Sequence, residues 1–341
     1  LLFKNIVTSI IENTLSVTAT AAYDKSGESD NRFISAGKGI NITNLLGSIA
    51  NIMIESKNNS NILISNRDSI EMIAGKLELN AENGRNEINS NNESAIIARE
   101  SDLTLNAKEN IINSKLYGID VATDMMNYTS DNFDETIKII SNSGNNEISS
   151  AERQALYLHI QKQNGTGLLP SENSQVELTA NQGNNIIKGH TILNNDNIYP
   201  DAAPETIRIY DGNLTVEATA DNTDEKTGIN EIWAGRVTTT VNGLTTGNYE
   251  ALEISGSQDR DKLSTATFTA DTANKFYGSL YAEDKAVVDI ASKDNEISSR
   301  KSSSSNLDYS YAVVADGNRL KDDVATTDID ERTQINITAN G

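Results

Sequence analysis

Apolar and polar residues alternate over runs of about five positions along most of this chain, and helical spacing is rare. One phrase recurs: apolar, polar, apolar, polar, small. It occupies 15–19, 77–81, 103–107, 176–180, 214–218, 266–270 and 335–339. Each copy predicts a short strand with one face turned inward. A second phrase follows within a few residues: Asn, any residue, an apolar residue, any residue, then a small one. It begins at Asn31, Asn61, Asn86, Asn110, Asn146, Asn185, Asn230, Asn274 and Asn295. Its predicted inward residues are Phe33, Leu63, Ile88, Ile112, Ile148, Ile187, Ile232, Phe276 and Ile297. A third alternating phrase often comes next, at 95–98, 118–122, 155–159, 251–255 and 311–315.

Three short strands and three turns, then repetition, predict a β-solenoid. The Asn phrases are spaced by 21 residues at the closest (Asn274 to Asn295) and by 45 at the widest (Asn185 to Asn230). Periods in this window belong to stacked repeats. A rung of 21 to 25 residues with corner insertions accounts for the range. The insertions are expected near 123–135, 161–173, 191–205, 236–250 and 301–309. One coil cannot bury its apolar face alone, whereas stacked coils bury a continuous column. The expectation is an all-β chain forming a single solenoid domain over 1–341. The repeated Asn is read as structural, because Asn tolerates left-handed backbone and caps turns. Stacked corner asparagines can also bond to one another as a ladder. Small residues after the strands, such as Ala81, Ala107 and Ala180, are read as corner fillers.

Composition narrows the function classes. Apolar residues make up only 37%, as a thin core would require. The net charge of −21 argues against binding nucleic acid or anionic lipid by charge attraction. The absence of cysteine excludes disulfides, thiolate metal sites and thiol catalysis. No apolar run is long enough for a membrane-spanning helix. The first residues lack an initiator Met and a signal-peptide pattern, so a segment of a longer protein is expected.

The runs at 176–189 (VELTANQGNNIIKG) and 103–114 (LTLNAKENIINS) resemble passenger repeats of Gram-negative type V autotransporter adhesins. The resemblance is one of repeat grammar and covers most of the chain from Leu15 onward. It implies a right-handed parallel β-helix, exported through a C-terminal outer-membrane β-barrel and displayed at the cell surface. It implies attachment to host cells or other bacteria, or aggregation. Lack of cysteine fits a passenger that crosses the outer membrane unfolded. No barrel segment occurs in this sequence, so the anchor is inferred. Protease passengers of this kind carry a Gly-Asp-Ser-Gly-type nucleophile. The nearest run here, 142–145 (NSGN), reads as a turn.

Candidate chemistry is sparse. The two histidines, His159 and His190, are read as a strand residue and a corner residue, and no catalytic residue is assigned. Two scattered histidines do not suggest a zinc site, and no phosphate-binding loop is present. No cofactor is expected. The acidic runs at 221–225 and 328–331 leave calcium open without matching a calcium loop. The principal reading is an adhesin that binds a surface glycan or protein. The alternatives are a polysaccharide lyase or glycosidase and a self-associating aggregation factor. Loops on a rigid scaffold carry binding. The candidate contacts are therefore the loop tyrosines Tyr128, Tyr199, Tyr249 and Tyr309, and Trp233, which alternation turns outward. The competing role for these rings is to cover the ends of the core column.

Overall fold

The computed structural model describes residues 2–4, 14–19, 30–43, 50–57, 59–122, 135–159, 162–164, 167–169, 174–189, 191–192, 205–210, 212–221, 226–234, 236–237, 239–241, 244–246, 250–256, 263–298, 312–316 and 333–340. The strands among these residues form an eighteen-stranded sheet, a nine-stranded sheet and three two-stranded sheets, and no helix occurs. The two large sheets pair in parallel throughout, which gives a β-solenoid-like architecture.

Two stacks of strands share the eighteen-stranded sheet. The first runs from Thr14–Ala19 through Thr136–Ser141, Gln175–Ala180 and Asn213–Ala218 to Gln334–Ala339. The second carries the Asn phrase, from Asn31–Ser35 through Asn146–Ser150, Asn184–Lys188 and Ile229–Trp233 to Ala273–Tyr277 and Asp294–Ile297. The long strands Gly75–Ser90 and Asp102–Ser114 turn the corner and contribute to both stacks. The nine-stranded sheet forms a third stack, from Ile40–Thr43 to Val313–Asp316.

The burial pattern follows from the period-two geometry of a strand. Gln175–Ala180 alternates half-buried and buried side chains, and so does Thr136–Ser141. The predicted inward residues pair in register along one column: Phe33 with Leu63, Leu63 with Ile88, Ile88 with Ile112, and onward to Phe276 with Ile297. All of them are buried except Ile297, which is partly covered. Phe268 and Phe276 meet edge to face inside, with centroids 5.0 Å apart. Ala180, Ala218 and Ala270 stack as a small apolar cluster of their own at a corner. The spacing phrases miss some strands. The strands Ala50–Ser56, Ile207–Tyr210 and Ser279–Glu283 take their places by register, although no phrase marks them.

The nine asparagines stand in one column. Asn31 donates its side-chain amide to Asn61 Oδ1 at 2.8 Å, Asn61 to Asn86 at 2.9 Å and Asn86 to Asn110 at 3.0 Å. Asn110, Asn146, Asn185 and Asn230 each donate to the next at 2.8 Å, and Asn274 to Asn295 at 3.1 Å. Each amide has a second N–H. In Asn110, Asn146, Asn185 and Asn230 it goes to the backbone carbonyl of Ile140, Thr179, Glu217 and Thr269 respectively. Those carbonyls lie where a first-stack strand of the next rung turns the corner. There the chain leaves the sheet, so a buried carbonyl needs a side-chain donor. Asn supplies two donors and an acceptor from one short side chain, which explains why no other residue type fills the column.

Insertions interrupt the rungs without disturbing this register. Within 161–173 the segments Lys162–Asn164 and Gly167–Leu169 form a small antiparallel hairpin. Thr239–Val241 and Leu244–Thr246 form another within 236–250. Thr191–Ile192 pairs in parallel with Arg236–Val237, which joins two insertions from successive rungs.

Candidate binding surface

Of the five aromatic residues singled out by the sequence, Tyr128, Tyr199, Tyr249 and Tyr309 lie outside the described residues. Trp233 ends the strand Ile229–Trp233, three positions after the ladder residue Asn230. Its neighbours in register are Lys188 on one side and Tyr277 on the other. They occupy the same offset from Asn185 and Asn274, so one outward column reads Lys, Trp, Tyr. The Trp233 and Tyr277 rings stack with centroids 4.0 Å apart and planes inclined by 30°. The indole N–H donates to Glu231 Oε2 at 3.3 Å. Glu231 sits two residues earlier on the same strand, with Lys275 beside it in register. The Tyr277 phenol is raised above its ordinary value by burial, and by the negative charges of Glu231 and Glu296. It therefore stays protonated, so it can donate a hydrogen bond and not act as a base.

The result is a half-covered aromatic shelf with carboxylates at its edge. Such a shelf can stack on a sugar ring or accept an aliphatic or cationic side chain. The sequence alone marked Trp233 but missed Tyr277. The signal was present: Tyr277 stands three residues after Asn274, as Trp233 does after Asn230.

A second constellation lies on the outward side of the nine-stranded sheet. Asp120, Tyr157, Arg208, Glu253 and Tyr281 are register neighbours on successive strands. Tyr157 stacks on Tyr117 with centroids 5.3 Å apart, and Arg153 lies over Tyr117 while donating to its hydroxyl at 2.9 Å. Arg208 covers the Tyr210 ring at 4.6 Å and donates to the Tyr210 hydroxyl. It also lies 3.9 Å from Glu205 and 3.4 Å from Glu253. Glu205, Glu250 and Glu253 converge within 4.8 Å, close enough to share one cation among the described residues. The Arg208 guanidinium already fills that role, and Gln154 donates to Glu205 at 3.2 Å. Burial works against the charge on Arg208, but Glu253 and Glu205 outweigh it and raise its pKa. These ion pairs and ring contacts tie successive rungs together, so the cluster reads as a clasp that fixes the face, although the buried Arg208 Nε bonds to no acceptor among the described residues.

The remaining sequence candidates fall almost entirely outside the described residues. His159 lies at the end of Leu156–His159, and its side chain falls outside the described residues, as does His190. Of the two acidic runs, 222–225 and 328–331 also lie outside them. No protein-family model, no curated protein and no solved structure matches the chain.

Proposed function

We propose that this chain is part of the passenger rod of a surface adhesin, and that it works by binding and not by catalysis. In this reading the stacks close into right-handed coils of three short strands, as in autotransporter passengers. The rod is exported across a Gram-negative outer membrane and anchored by a C-terminal β-barrel. The observation that carries the reading is the Trp233–Tyr277 shelf, an outward aromatic pair held on a rigid stack whose inward positions are given over to packing. Stacking fixes the two rings before a partner arrives, so little side-chain entropy remains to be lost on contact. The partner is a surface glycan or protein.

The experiment is attachment of beads coated with the chain to cultured epithelial and bacterial cells. Retention well above albumin-coated beads is expected, reduced at least fivefold by Trp233→Ala. Absence of retention on every cell type would overturn the reading. So would release of new reducing ends or unsaturated sugars from glycan preparations, which would favour the lyase or glycosidase alternative. Self-association is read separately, by sedimentation across a concentration series.

A further inference from the structure

A groove of about 580 Å³ runs along the corner after the first strand stack and shares no lining residue with the clasp around Arg208. Glu55, Asn80 and Asn106 form one wall, as register neighbours on successive rungs. Glu82 and Asn83, where the strand Gly75–Ser90 rounds the corner, and the bend residue Asn142 form the other. Asn142 donates to Asn106 Oδ1 at 2.9 Å, and Asn83 donates to the Lys57 carbonyl at 3.0 Å. These two bonds hold the turns against the strands. They leave the Asn106 amide N–H groups and the Asn83 and Asn142 side-chain oxygens directed to no partner among the described residues. The carboxylates of Glu55 and Glu82 and the amide of Asn80 are likewise without a side-chain partner there.

We infer that this groove is a binding site for a neutral saccharide. Its volume lies within the usual range for small-molecule sites, about 300–1,000 Å³. Its lining is amide and carboxylate. Sugar hydroxyls are donors and acceptors at once. They can donate to Glu55 and Glu82 and accept from Asn80 and Asn106. Successive rungs repeat the wall at about 4.8 Å, close to the length of one pyranose unit. Adjacent sugars along a chain therefore meet equivalent register positions, a carboxylate on Glu55 and amides on Asn80 and Asn106. Among the described residues no basic side chain lines the groove, so a uronate or sulfated glycan would meet two carboxylates and no counter-charge from them. A cation is disfavoured because Glu55 and Glu82 do not converge with a third acidic group among the described residues. No aromatic ring among the described residues lines the groove, so the site trades stacking for hydrogen bonds and binds weakly, as polar groups must give up water to bind.

The inference stands apart from the attachment reading and is tested separately. The full chain is applied to a printed array of neutral oligosaccharides, their uronate-containing counterparts and bare linkers, in buffer containing EDTA. Retention on neutral glycans is expected, with little on the uronates. Asn80→Ala and Glu82→Ala should each weaken it at least fivefold with unchanged melting temperature. Asn80→Asp keeps the shape, removes the donor and should behave like Asn80→Ala. Gly37→Ala, where an added methyl meets nothing within 4 Å, should bind as the parent does. Three results would overturn the inference: no retention on any neutral glycan, equal retention by the groove variants, or retention that needs added calcium. Bead attachment reports on the other proposal, so loss of one readout with survival of the other separates the two.

Discussion

Asn146 donates its side-chain amide to Asn185 Oδ1 at 2.8 Å, although 39 residues of chain separate the two. The insertion at 161–173 lies between them, yet the corner geometry is the same as at rungs with no insertion. The ladder thus fixes each rung against the next while the loops between are free to vary. Every link donates in the same direction along the axis, so each bond polarises its neighbour.

Replacement of Asn185 should be costly in proportion to the buried partners it strands. Asn185→Ala removes the bonds to Asn230 Oδ1 and to the Glu217 carbonyl, and leaves Asn146 without its acceptor. Buried groups left unsatisfied cost about 1–3 kcal/mol each, so a loss of about 3 kcal/mol is expected. Asn185→Asp keeps the shape but offers only oxygens where two donors are needed. It should lower the urea midpoint further than the alanine. Equal midpoints for Asn185→Ala and the parent would sink the structural role of the ladder.

Close backbone approach at the corners makes certain glycines irreplaceable. A Cβ on Gly183 would lie 1.8 Å from the Gly144 carbonyl oxygen, and backbone on the adjacent rung cannot move aside cheaply. A Cβ on Gly37 would meet nothing within 4 Å. Gly183→Ala should therefore destabilise by about 3 kcal/mol or more, and Gly37→Ala by no more than about 0.5 kcal/mol. Thermal melts of the two variants side by side measure the contrast.

The pH dependence carries the signature of Asp68. Burial, together with the adjacent Glu93 carboxylate, pushes Asp68 up to about 6. Burial also raises Glu93, but hydrogen bonds with Arg67 and Asp68 outweigh it and hold Glu93 below its ordinary value. A carboxyl raised in the fold favours the folded state when protonated. Its contribution is complete below the unfolded value of 3.8 and is lost as pH rises through about 6. Buried Glu135, raised mainly by burial, acts in the same direction. Asp68→Asn keeps an oxygen for the Ser94 N–H, which now lies 3.2 Å from Asp68 Oδ1. The variant should be more stable than the parent at pH 7–8 by about 1 kcal/mol, allowing for solvent screening, with the difference vanishing near pH 4. Urea midpoints at pH 4, 6 and 8 measure it, and a pH-independent difference would remove Asp68 as the cause.

The shelf should be separable from the core. Trp233→Ala and Tyr277→Ala each remove a stacked pair whose contribution beyond area burial is about 1 kcal/mol. Both should leave the melting transition within a few degrees of the parent. Tyr277→Ala should also change the fluorescence of Trp233, the only tryptophan, because it strips one face of the indole. Unchanged emission would place the rings apart in solution.

Local grammar was enough to locate the rungs. Alternation assigns the inward column from Phe33 to Ile297, because a strand's side-chain direction depends only on position within the strand. The nine Asn phrases mark one corner of nine successive rungs, because the need for corner donors recurs where the chain leaves the sheet there. What the sequence does not display is which outward side chains become neighbours. That depends on rung stacking, and the separations along the chain change with every insertion. Trp233 meets Tyr277 44 positions away, as far as Asn230 lies from Asn274. Counting from the ladder could have found that pair. No comparable marker precedes Ile207–Tyr210, so the convergence of Arg208 with Glu205 and Glu253 emerges only in three dimensions. The groove between Glu55, Asn80 and Asn142 is of the same kind. Each of its residues alone is an ordinary polar strand or turn position, and only parallel stacking about 4.8 Å apart sets them facing one space.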